Sequence, residues 1–320
     1  MLMKNLSNTY SKTIIGLFYI ILFSGCFTQE ELDVEFDTNP PIVIHAVITD
    51  QAGPYYVHIS RAVGEVTVNP VNFLPSANYI PITDATVTLS DDQGNSDVLV
   101  PYDQEFPSTV PQSETRTFAQ YGFYRTSTNI QGAAGRAYTL TVQHEGKTYE
   151  AKATMPSTPP AITLNHEKFI YPLLSFNQPV LEENYYMFLY RDFFGDDPSN
   201  GLNIQNQFED NLWPLFFPIF QVYTDQFWTE QVKDLDIYAP NYEQGQPIVF
   251  CVDCPENIQI QMHSISREAY EFYDALNQQT RNDGGTFNPE PAPPPTNFTN
   301  GALGLFRASS VRSITAPVRY

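Results

Sequence analysis

Cys251 and Cys254 stand two residues apart in VFCVDCPE. A Cys-x-x-Cys pair can close a small disulfide loop, supply half of a zinc site, or run thiol–disulfide exchange. Zinc wants two further ligands, and His263 is the only histidine nearby in sequence. Redox exchange wants a thiol at a helix N-terminus, where the dipole lowers its pKa. Here QPIVF precedes the pair and IQIQMHSI follows it, both strand-like. An oxidising compartment favours the structural disulfide, with zinc, exchange and free thiols as the alternatives.

The third cysteine, Cys26, points to different chemistry. Lys4 and Lys12 give a positive leader, TIIGLFYIILF (13–23) is a short apolar core, and Ser24-Gly25 precede the thiol. The run is shorter than the roughly 20 apolar residues a spanning helix needs. Charge, short core and small residues are the secretory-signal pattern. A cysteine directly after Phe-Ser-Gly makes it the bacterial lipoprotein variant, cut before Cys26 and acylated on its sulfur. Residues 1–25 are then a signal peptide. Each buried methylene is worth about 0.8 kcal/mol, so two or three chains hold the protein to a bilayer. Residues 26–39, with Glu30, Glu31, Asp33 and Glu35, read as an acidic tether.

Other reactive types give weaker signals. The histidines are His45, His58, His144, His166 and His263. His45 and His58 fall on successive strand-like segments, could face each other, and with a carboxylate could bind zinc. Strand histidines facing solvent or a partner strand are the simpler reading. SDDQGNSD (90–97) lacks the spacing and terminal Glu of an EF-hand and reads as a hairpin turn, as does GDDPSNG (195–201). Carboxylates are plentiful, yet nothing marks a pair for glycosidase work. The chain has no Gly-x-Ser-x-Gly, His-Glu-x-x-His or phosphate loop. No catalytic residue, metal or cofactor is assigned.

The elements that must position these groups are mostly strands. There are 20 Tyr, 23 Phe and 26 Pro, a strand-and-turn composition. PPIVIHAVITD (40–50), YYVHISRAVG (55–64), ITDATVTLSDDQGNSDVLV (82–100), GFYRTS (122–127) and RAYTLTVQHEGKTYEAKATMP (136–156) alternate and carry turn signals. Residues 40–157 are therefore expected to form an Ig-like β-sandwich. MPSTPPA (155–161) marks a stiff connector to a β-rich second domain, 158–320. One helix is expected over 266–283, with Ser266 as N-cap and Ala269, Phe272, Tyr273 and Leu276 on one face. Gly284-Gly285 would end it.

Within the second domain, 195–247 reads as a polar, aromatic insertion. Trp213, Phe216, Phe217, Phe220, Tyr223, Phe227 and Trp228 are the candidates for ligand or partner contact, or they fill that domain's core. The formal charge of −20 becomes −22 once Lys4 and Lys12 leave with the leader, which disfavours nucleic acid as a partner.

The lipobox, the tether, PPIVIHAVITDQAGPYYVHIS, ITDATVTLSDDQG, the CVDC pair, SISREAYEFYDAL and TNFTNGALGLFRASS occur in one order. That arrangement resembles domain-of-unknown-function family 4249, outer-membrane lipoproteins of Bacteroidota. The resemblance implies an Ig-like N-terminal domain, genes often adjacent to TonB-dependent receptors, and no known enzyme chemistry. Acidic residues after the lipidated cysteine resemble the signal that sends such lipoproteins to the cell surface rather than the periplasmic face. The expectation is an accessory or binding subunit of a TonB-dependent transporter. A free-standing adhesin or glycan-binding module is the alternative, and a hydrolase the third.

Overall fold

The computed structural model describes residues 40–62, 79–105, 117–127, 130–165, 173–179, 183–196, 221–237, 256–281 and 292–317. In chain order the strands are β1 (Ile42–Thr49), β2 (Tyr56–Ala62), β3 (Tyr79–Pro81), β4 (Thr86–Asp91), β5 (Ser96–Val98), β6 (Val100–Pro101), β7 (Phe123–Arg125), β8 (Ala137–His144) and β9 (Lys147–Thr154). They continue with β10 (Ile162–Asn165), β11 (Leu173–Asn177), β12 (Tyr185–Phe193), β13 (Gln221–Thr224), β14 (Gln231–Asp236), β15 (Asn257–Ile265) and β16 (Leu303–Pro317). The α-helix, α1, is Arg267–Arg281. The protein is mainly β, as its composition and alternation predict.

One sheet organises the rest. Its order is β13-β12-β15-β16-β1-β2-β7-β6, with β3 also on β2. Neighbours run antiparallel except β1 and β16, which are parallel, Ile44 opposite Gly304 and Ala46 opposite Phe306. The period of two along each strand sends alternate side chains to opposite faces. On one face, Ile44, Ile48 and Ile59 meet Val87, Leu140 and Val142 of the four-stranded sheet β5-β4-β8-β9. Further along, Tyr186, Phe188, Ile258 and Ile260 meet Leu174, Phe176 and Val232 around the three-stranded sheet β10-β11-β14. Each such buried side chain contributes about 1.5–3 kcal/mol, enough for these two seams to carry the fold.

The other face carries α1. Ala269, Phe272 and Tyr273 pack with Tyr56, Leu189 and Leu305. The Ser266 hydroxyl accepts the Ala269 N–H at 3.3 Å, the predicted N-cap. Arg267 and Glu271 pair one turn apart at 2.8 Å. The expected end at 283 and Gly284-Gly285 lie outside the described residues.

The sheet does not respect the expected boundary at 157/158. β16 contributes Phe306 and Ala308 to the same core as β1 and β4, so the core over 40–157 also takes in residues 303–317. The physical reason lies in the connector. Its carbonyls are tied to β16: Ser310 Oγ donates to the Pro156 oxygen at 2.7 Å, and Arg312 Nε to the Pro159 oxygen at 3.0 Å. Residues 39–320 form one compact unit.

Candidate functional site

The α1 face of the central sheet carries a row of buried polar groups. Alternation in β15 places Gln259, Gln261 and His263 on that face, opposite in parity to Ile258, Ile260 and Met262. In β16 the same parity presents Leu305, Arg307 and Ser309. In β12 it presents Met187, Leu189 and Arg191, which face His263, Gln261 and Gln259 across the ladder. Gln261, His263, Ser309, Arg307 and Arg191 are all buried.

Arg307 is the unusual member. It is 1% exposed, and the ring of Tyr273 from α1 lies 5.6 Å from its Cζ. Its Nη1 touches Met187 Sδ at 3.5 Å. Among the described residues, its Nε and Nη2 have no hydrogen-bond acceptor. Burial pulls its pKa down, opposed by Tyr273, and no described carboxylate offsets it. A guanidinium keeps its proton even so. A buried charge without a counter-ion costs several kcal/mol, so this residue opposes folding unless something neutralises it.

Beside it runs a hydrogen-bonded line. Ser309 Oγ lies 3.1 Å from His263 Nδ1, and Gln261 Oε1 lies 3.2 Å from His263 Nε2. The amide oxygen only accepts, so Nε2 carries the ring proton and the serine hydroxyl donates to Nδ1. Burial, then the charge of Arg307, push His263 well below its ordinary pKa. The connectivity is that of a serine–histidine–acid array with an amide where the acid would stand. A histidine held neutral is a weak base, and Ser309 is wholly buried. The line fixes three side chains rather than activating a nucleophile.

His45 and His58 face each other across β1 and β2, as expected. His58 stacks on Phe123 at 4.4 Å and reaches the Tyr121 carbonyl at 3.1 Å, while His45 sits edge-on to Phe272 at 6.1 Å. Burial pushes His45 down to about 4. Burial, then the neighbouring His45, push His58 down to about 3. Their partners are aromatic rings, and among the described residues no cluster of three histidine, cysteine or acidic side chains is set to hold a metal. The SDDQGNSD loop is a turn: Asp91 Oδ1 accepts the Gln93 and Asn95 amides at 2.9 Å, and Arg136 pairs with Asp91 at 2.7 Å where a cation would sit.

Of the aromatic candidates, Tyr223, Phe227 and Trp228 are described. Trp228 is half-buried, stacked on Tyr186 at 6.0 Å and edge-on to Phe176 at 5.7 Å. Tyr223 packs beside it at 5.7 Å. Phe227 goes the other way and is 85% exposed. It sits on a short 3₁₀ turn, Asp225–Phe227, beside β13 at the edge of the central sheet. The turn is held by Asn184, whose Nδ2 donates to Asp225 Oδ2 at 2.8 Å, and by the Trp228 amide on the Asp225 carbonyl at 2.8 Å. Trp213, Phe216, Phe217 and Phe220 lie outside the described residues, as do Cys26, Cys251, Cys254 and His166. Of GDDPSNG only Gly195 and Asp196 are described.

Sequence reasoning placed no weight on Arg307, Gln261 or Ser309. The alternation of Gln259, Gln261 and His263 with Ile258, Ile260 and Met262 marks a two-faced strand, and that pattern ordinarily means one face in water.

Residues 29–315 match one family model, described as a domain of unknown function, DUF4249. No curated protein matches the chain.

Proposed function

The chain belongs to the DUF4249 family, and from that premise we propose that it is a lipid-anchored binding subunit of the outer membrane, working at the cell surface beside a TonB-dependent transporter. Phe227 carries the reading. Phe227 is 85% exposed, and a pinned turn and the Trp228–Tyr186 stack hold its base. Rigid aromatic projections on a preformed base are what interface anchors look like. The leader, Cys26 and the acidic tether supply the anchor.

The test uses a photo-crosslinking amino acid at 227 in the native host. Crosslinking should capture an outer-membrane transporter, and Cys26→Ala should release the protein from membranes and abolish labelling by a palmitate analogue. Labelling that survives Cys26→Ala removes the anchor. Crosslinks to glycan-bearing surface material with no transporter would turn the reading toward an adhesin.

A further inference from the structure

We propose that Arg307 holds a small oxyanion, a carboxylate or a phosphate, bidentate on its Nε–Nη2 edge between β15, β16 and α1. Three sides of the guanidinium are accounted for. Tyr273 covers its face at 5.6 Å, Met187 Sδ meets Nη1 at 3.5 Å, and the side-chain stem runs back to β16. What remains is one edge, and both of its donors, Nε and Nη2, are buried without an acceptor among the described residues. That edge presents two parallel N–H groups, the fork that matches two oxygens of one carboxylate or phosphate.

The neighbours offer no substitute. His263 has both ring nitrogens engaged, with Ser309 and Gln261, and is neutral. Tyr273 is itself held protonated by burial. A water molecule would satisfy the donors but not the charge. An anion satisfies both, which turns the most costly side chain of this face into the best-compensated one. The site is independent of the membrane reading above, since it needs neither Cys26 nor Phe227. Because α1 roofs it, the anion exchanges when that helix lifts, and equilibration has to be allowed for.

The experiment uses the full chain in detergent at pH 7, at one ionic strength set with sodium chloride. Sodium acetate and sodium phosphate are titrated separately, with overnight incubation before thermal unfolding. At 100 times the dissociation constant, the midpoint should rise by about 5 °C, and it should go on rising with the logarithm of anion concentration. A rise with acetate alone assigns a carboxylate ligand, and with phosphate alone a phosphate. Arg307→Met should show no rise, and its ligand-free midpoint should equal or exceed that of wild type, because it deletes an unneutralised charge. No rise with either anion overturns the proposal, and so does an equal rise in Arg307→Met. Should that variant not fold, the slowly exchanging guanidinium Nε–H signals of wild type decide. One must shift saturably with the same anion; if none shifts, the site does not exist.

Discussion

His45 and His58 lie directly opposite each other across β1 and β2, each against an aromatic ring. Both are pushed down, to about 4 and about 3, so both are neutral at pH 7. In the unfolded chain each titrates near 6.5. Between about pH 6.5 and 4 the unfolded chain therefore binds protons that the folded one does not. Stability falls as pH drops through that window, by about 1–2 kcal/mol per ring after allowing for partial solvent contact. Urea midpoints at pH 7, 5.5 and 4.5 should decline, and His45→Leu should make the decline shallower. An unchanged slope would show that these rings do not contribute.

Gly304 should tolerate no side chain. Its φ is +101°, and a Cβ there would stand 2.0 Å from the Ile44 carbonyl oxygen. Both the left-handed conformation and the contact with β1 backbone oppose substitution. Gly304→Ala should lose about 2–4 kcal/mol in chemical unfolding. A loss under about 0.5 kcal/mol would mean that β1 and β16 are not in this register.

Phe227 and Trp228 are adjacent in sequence and should behave oppositely. Trp228→Ala removes a ring packed on Tyr186, Phe176 and Tyr223, so it should cost about 2–4 kcal/mol. Phe227→Ala should leave the unfolding midpoint within about 0.5 kcal/mol of wild type. It should nevertheless lower recovery of the transporter proposed above as its partner. Loss of stability in Phe227→Ala would assign the ring to the interior.

Cys251 and Cys254 are expected to form an intramolecular disulfide. Alkylation under non-reducing conditions should then modify neither thiol, and reduction should barely move the unfolding midpoint, because so short a loop restricts the unfolded chain little. Two modified thiols, or one zinc per chain, would contradict it.

The strands were legible because the period of two is local. IVIHAVIT, TVTLSD and AYTLTVQH alternate in sequence, and they are β1, β4 and β8. The helix was legible from Ser266 and its apolar face. What alternation cannot report is what covers each face. Gln261 and His263 have the pattern of a strand half in water, yet α1 and Arg307 bury them. Nor does it report partners far along the chain, such as β16 beside β1, which is why 157/158 looked like a break. Phe227 and Trp228 share a composition signal and differ only in which way the turn at Asp225 aims them.

The parallel pairing of β1 with β16 also sets an order of events in biogenesis. β1 is flanked by β2, made soon after it, and by β16, made long after both. Until residues 303–317 arrive, one edge of β1 and the core faces of Ile44 and Ile48 stay uncovered. Contacts this distant in sequence form slowly. A product truncated before β16 would remain open, sticky and easily proteolysed.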